Sequence, residues 1–193
     1  GQFEEIQKVM PKSSYALLAD ELRRGHYVLD LSKFQKEIIY NLRKMKVGDI
    51  AQLADVSEGL ENAIKNAANS CNNVVDFVNI VKCKRYTQTR IQRILIYALL
   101  GITSEKMMTS KKTTPYARIL GFNEKGKKLI SQIVKHNKRA QIVTSVKKYM
   151  DESKNKALKE MLETDIFATN VYTLGYESDS WSNLDYTNKI ITM

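Results

Sequence analysis

Apolar residues recur through the first hundred positions at spacings of three and four, the period of helices that each bury one face. Ser13-Ser14 is expected to cap a helix from about Tyr15 to Arg24, with Leu17, Leu18 and Leu22 on one side and Gly25 after its end. Ser32 opens the next, which carries Phe34, Ile38, Ile39 and Leu42 and closes at Gly48. Asp55-Val56-Ser57-Glu58 has the form of a capping box ahead of Leu60, Ile64 and Ala67-Ala68. Val74 to Cys83 reads as a further short helix. Thr87 is a natural N-cap for Gln88 to Leu100, whose stripe is Ile91, Ile94, Leu95, Ala98 and Leu99, with Gly101 as the stop. Thr103-Ser104 restarts a helix through Met108.

Beyond Met108 the period changes. Thr109 to Pro115 is a polar connection, and Tyr116 to Phe122 reads as a strand. Asn123 caps a helix through about Lys135 with Leu129, Ile130 and Ile133 inward, and Gln141 to Thr144 is a second strand. The three make a β-α-β unit, parallel and right-handed by preference. Lys154 to Leu174 reads as a long final helix facing in through Leu158, Leu162, Ile166 and Val171. The expected class is mainly α with a small β-α-β element, α+β overall. A helical bundle (1–108) precedes a short two-stranded parallel sheet with helices (109–176) and an irregular tail (177–193).

Charge changes this picture more than composition does. The formal net charge is +10, and it is not spread evenly. Residues 77–139 carry 15 Lys and Arg against two acids, Glu105 and Glu124, whereas each flank is slightly acidic. A field concentrated in this way attracts polyanions and releases their counterions on contact. No apolar run approaches the roughly 20 residues that span a bilayer, and the acidic start is not a secretory signal. Membrane is therefore not an expected partner, and the expected location is cytoplasmic. Cys71 and Cys83 are too few and too far apart for a metal knuckle, so no metal site is expected.

The charge centres on Lys82 to Arg93. Lys82, Lys84, Arg85, Arg90 and Arg93 surround a helix start with Tyr86, Thr87 and Thr89 among them. Threonine hydroxyls and free N–H groups of the first turn can donate to phosphate oxygens, arginine adds planar donors, and Tyr86 is expected to stack on an exposed base. Arg90 and Arg93, three apart, share one flank. No catalytic residue is expected: His26 and His136 lie apart, there is no Walker loop, and Gly25-His26 lacks the first histidine of a His-x-Gly-His signature, Arg23 standing in its place.

Three blocks then occur in order: Glu58-Gly59-Leu60-Glu61-Asn62-x-Ile64, Lys84-Arg85-Tyr86-Thr87-x-Thr89-Arg90-Ile91-x-Arg93-Ile94-Leu95, and Arg118-Ile119-Leu120-Gly121-Phe122-Asn123-Glu124-Lys125-Gly126. Together they resemble the C-terminal half of the bacterial tRNA(Met) cytidine acetate ligase family, over roughly residues 13 to 176. The resemblance implies an enzyme that activates acetate with ATP as acetyladenylate and acetylates N4 of the wobble cytidine of elongator tRNA(Met). On that basis tRNA is the expected partner of the basic block. The family's nucleotidyltransferase-like N-terminal domain is expected to be missing here and to act as a second partner. ATP and acetate would belong to the parent enzyme, with no cofactor held by this chain. Glu58, Asn62 and Arg118 are expected at the substrate or at the interface with that domain, although Ala63 stands where a basic residue would follow Glu-Asn. A general RNA-binding module of another tRNA modification system, or a structural domain docking a catalytic partner, are the competing expectations.

Overall fold

In the computed structural model the described residues are 2–26, 29–57, 59–136, 141–177 and 182–193, with side chains from position 5 onward. Helices α1 (Gln2–Val9) and α2 (Lys12–Arg23) precede a 3-10 turn at Leu31–Phe34 and helices α3 (Gln35–Lys44), α4 (Val47–Ala51), α5 (Leu60–Ser70), α6 (Val74–Val81), α7 (Gln88–Leu100) and α8 (Ser104–Lys112). Strands β1 (Tyr116–Arg118) and β2 (Gly121–Phe122) follow, then α9 (Glu124–His136), β3 (Gln141–Val143), α10 (Val146–Glu152), α11 (Lys156–Thr173), α12 (Leu184–Thr187) and β4 (Ile191–Thr192).

The helical periodicity closes around one core. Ile38 and Leu42 of α3, Leu60 and Ile64 of α5, Phe77 of α6 and Ile91, Ile94 and Leu95 of α7 are all at most 1% exposed. Each such side chain contributes about 1.5–3 kcal/mol by leaving water. A second, smaller core joins Val143, Val146, Leu162 and Ile166. α11 serves both, because Val171 packs on the first core while Leu162 and Ile166 sit in the second.

Basic side chains tie α3 to α5 at their C-terminal ends, where backbone carbonyls lack helical partners. Lys65 Nζ donates to the carbonyls of Leu42, Arg43 and Met45 at 3.2, 2.6 and 2.6 Å. In return Arg43 donates from Nε to the Ala68 carbonyl at 2.7 Å and from Nη2 to the Cys71 carbonyl at 3.0 Å.

Several expectations change at element ends. α2 begins at Lys12 after Pro11, so Ser13 and Ser14 lie inside it. Asp30, not Ser32, caps the 3-10 turn through its carboxylate, which accepts the Ser32 N–H at 2.7 Å. Gly48 falls within α4 instead of closing the helix before it. No capping box precedes α5: its N-cap is Gly59 at φ 85°, a left-handed conformation glycine adopts without Cβ strain, and Glu58 lies outside the described residues. α10, capped by Ser145 on the Lys148 N–H at 3.3 Å, had no counterpart in the periodicity.

The expected parallel pairing is present between β1 and β3, with Ala117 opposite Ile142 and α9 between the strands. The expected single strand over 116–122 is two strands in two sheets. β2 pairs in parallel with β4, so the tail contains α12 and a strand and is not wholly irregular. Gly121 permits this approach: a Cβ there would stand 3.1 Å from the Ile191 carbonyl oxygen. α9 does not turn its apolar stripe inward, since Leu129 is 58% and Ile133 39% exposed.

Beside the second core, Tyr116 Oη donates to Asp165 at the wall of a cavity of about 350 Å³. Partial removal from water and the nearby Asp185 carboxylate raise the Asp165 pKa. A carboxyl raised in the fold binds more protons folded than unfolded, so this group's effect on stability worsens as pH climbs from the ordinary carboxylate value through the raised one. Asp165→Asn should therefore flatten the acid-range dependence of the urea midpoint and raise stability at neutral pH. An unchanged profile would refute the assignment. Lys65→Met should cost about 1.5–3 kcal/mol by leaving charged hydrogen bonds unmade, measured by urea denaturation; a loss within experimental error would show that the cross-caps do not matter.

Candidate nucleic-acid interface

Between α6 and α7 the chain makes a tight turn. The Cys83 N–H donates to the Tyr86 carbonyl at 3.2 Å and the Tyr86 N–H to the Cys83 carbonyl at 3.1 Å, leaving Lys84 and Arg85 at the tip. Lys82, Lys84, Arg85, Thr87 and Thr89 are all exposed. Among the described residues Lys82, Lys84 and Arg85 make no ion pair. Thr87 is the N-cap of α7, yet its hydroxyl caps no N–H and instead lies 3.3 Å from that of Thr89. The first turn of α7 thus keeps its positive end uncovered by a side-chain cap, which suits an anion when flanked by cations.

Tyr86 departs from expectation. Its ring is 9% exposed and belongs to the helical core, so it anchors the turn and does not present a face for a base. The guanidinium carbons of Arg85 and Arg90 lie 5.5 and 5.4 Å from its centroid.

Arg90 and Arg93 also do something the sequence did not disclose. Asp55 stands at φ 63°, a left-handed conformation that costs a residue with a Cβ some energy. Arg90 holds that turn through Nε and Nη2, which donate to the Asp55 carbonyl at 3.0 and 2.7 Å, and Nη2 reaches Ser57 Oγ at 3.0 Å. Arg93 pairs with the Asp55 carboxylate at 2.9 Å, and that hydrogen bond raises the guanidinium pKa further. Just upstream, the Ala54 N–H donates to the Ile102 carbonyl at 3.1 Å and Leu53 bridges Thr103.

The turn at residues 55–57, just upstream of the first sequence block, is therefore fastened to the first turns of α7, and residues 59–62 follow it. Among the latter, Glu61 Oε1 accepts from the Gly59 N–H at 3.2 Å and from Asn62 Nδ2 at 3.1 Å, and Asn62 is exposed. The third block is used elsewhere. Arg118 is bound at 2.5 Å to Asp185 of α12, which is 9% exposed, so its guanidinium fastens the tail. His26 has structural partners too: Nδ1 lies 2.6 Å from Glu21 and the ring stacks on Tyr176 at 4.6 Å. No helix among the described residues is long and apolar enough to cross a membrane.

An exposed basic turn stands at an open helix end on a helical scaffold, with two further arginines bracing the neighbouring turn. The family model described as HIGH Nucleotidyl Transferase matches residues 1–186, and the chain belongs to that family. This corrects the expectation that the nucleotidyltransferase portion is a missing partner, because the model carrying that description aligns with nearly all of this chain. The His-x-Gly-His tetrad itself does not occur in the sequence.

Among curated relatives, the chain is 37% identical over 191 residues to the tRNA(Met) cytidine acetate ligase of Thermoanaerobacter pseudethanolicus, covering 98% of this chain and 46% of that protein. It is 39% identical to that of Acetivibrio thermocellus, covering 97% and 46%. The crystal structure of Thermotoga maritima TmcAL bound with alpha-thio ATP superposes with a TM-score of 0.90 at 26% identity, over 99% of this chain and 48% of that one. The chain thus spans about half the length of the relatives it matches.

If Arg90 holds the Asp55 turn, Arg90→Met should speed amide hydrogen exchange across residues 55–57 and 59–62 about tenfold or more, by removing charge-assisted hydrogen bonds. Lys84→Met should leave those amides unchanged. Equal exchange in the two variants would overturn the bracing role.

Proposed function

We propose that this chain supplies the tRNA-binding surface of an ATP-dependent tRNA(Met) cytidine acetate ligase, which acetylates the wobble cytidine of elongator tRNA(Met). The observation that carries the reading is the Lys82–Thr89 turn, whose exposed cations surround the uncapped start of α7. The relatives' activity supports the RNA and its identity, and the thio-ATP complex of the Thermotoga maritima protein supports ATP as the energy source of the complete enzyme. Acetate is the acyl donor on this reading.

The working parts differ in role. Lys82, Lys84 and Arg85 neutralise phosphates, and Thr87, Thr89 and the α7 N–H groups orient them by hydrogen bonds. Arg90 and Arg93 are positioning residues that fasten the Asp55 turn to the start of α7. Tyr86 holds the turn from below.

The test is charge reversal at Lys82, Lys84 and Arg85 together, with tRNA(Met) binding followed by mobility shift across a salt series. Affinity should fall at least tenfold at low salt, and the slope of log K against log salt should flatten by about two to three, one step per lost phosphate contact. The melting temperature should hold, because all three side chains are exposed. A triple variant with the wild-type salt slope would overturn the assignment. Equal binding of tRNA(Met) and unrelated tRNAs would reduce it to a general RNA-binding module.

A further inference from the structure

We infer that the exposed face between α3 and α11 is a second RNA contact, a groove in which an unpaired base stacks against Tyr40 while its flanking phosphates meet Lys36 and Lys44. This rests on the RNA-binding reading above and adds a site to it.

Tyr40 of α3 is 64% exposed, and Phe167 of α11, 47% exposed, lines the same groove. The groove encloses about 430 Å³, with Leu99, Val171 and Leu174 as its apolar surroundings. Asn41 and Glu37 stand at its wall and offer an amide and an acceptor to a base edge. Lys36, Tyr40 and Lys44 follow one another at intervals of four, so they rise along one side of α3 in steps of about 6 Å. The cations thus flank the aromatic ring above and below.

Two lysines, Lys36 and Lys44, and two carboxylates, Glu37 and Asp49, border the groove and its continuation. The exposed ring between uncommitted lysines, and not net charge, therefore favours RNA over protein here. Arg43, the other basic residue of α3, is committed to the carbonyls of Ala68 and Cys71. Lys36 and Lys44 are exposed, and neither makes an ion pair among the described residues. Lysine is depleted at the centre of protein interfaces, whereas alternating aromatics and cations are the means by which single strands are held, with little demand on sequence. A second copy of this +10 chain would meet the lysines with like charge.

The position also fits a single ligand touching both sites. The basic turn lies at the N-terminal end of α7, while Leu99 and Leu100 at its other end line the groove and its continuation toward Lys44. The helix between them spans about 20 Å. An RNA with an unpaired loop and a stem can reach across that distance, with paired phosphates at one end and an exposed base at the other.

The experiment compares a stem–loop RNA with a blunt duplex of the same stem, using the whole chain and the variants Tyr40→Ala, Tyr40→Trp and Lys36→Glu/Lys44→Glu. Tyr40→Ala should weaken stem–loop binding about tenfold, a typical loss for one stacked base, and leave duplex binding as it was. Tyr40→Trp should restore the preference, and the double lysine variant should flatten the salt slope for the stem–loop. Circular dichroism should be unchanged, because Tyr40 is exposed. If Tyr40→Ala binds the stem–loop like wild type while charge reversal at Lys82, Lys84 and Arg85 still weakens it, this second site is refuted alone and the face is left for a protein. Failure of the unmodified chain to bind either RNA would overturn both readings.

Discussion

The left-handed turn at Asp55 is the constraint on which the candidate site depends. A carboxylate-bearing residue at positive φ is held there because two arginines from α7 satisfy its carbonyl and its side chain together. Beyond the turn, Gly59 opens α5 in its own left-handed conformation, and Asn62 is exposed in the first turn of that helix. Besides the two guanidinium groups, the described residues between α4 and α5 are joined to the scaffold by the pairing of residues 52–54 with 102–104 and by Val56 against the core. The same side chains that look like ligand-binding groups in the sequence therefore hold this turn in place.

This use of positive charge recurs. Arg43 and Lys65 end helices for one another, Arg90 and Arg93 stabilise a turn, and Arg118 fastens α12. Each satisfies backbone carbonyls or a carboxylate with charge-assisted hydrogen bonds. The cations left for a polyanion are fewer than the net charge suggests, and on the α7 side they are gathered at one turn. A surface with few well-placed cations gains orientation from its hydroxyl and N–H donors more than from overall attraction.

What the sequence revealed follows from how local each signal is. The stripes of α5, α6 and α7 were readable because Ile64, Phe77, Ile91 and Leu95 repeat with the helical period and are buried as that period requires. The exposed basic turn was readable because it is continuous in sequence. Tyr86 was misread because a ring between basic residues has the same local pattern whether it packs inward or faces a base. Arg90 and Arg93 could not be assigned to Asp55, more than thirty residues away, since nothing near either arginine encodes the other's position. The stripe of α9 predicted a buried face, but periodicity reports only that a face is apolar, and Leu129 and Ile133 remain uncovered. Lys36, Tyr40 and Lys44 are in plain sight on one helix, yet only the structure shows that the core leaves that side open.

The parallel pairing of β2 with β4 has a kinetic side. Gly121 and Phe122 meet Ile191 and Thr192, and Arg118 meets Asp185, across about seventy residues of intervening chain, a separation whose closure entropy must be met before any contact rewards it. Most of the core shared by α3 through α7, by contrast, lies within the first hundred positions, with Val171 of α11 packing on it from later in the chain. As a chain emerges from the ribosome most of the helical core can assemble, with its basic turn already formed, while β2 still lacks its partner strand. A growing polypeptide of this fold would thus present its basic turn before its last strand is in place.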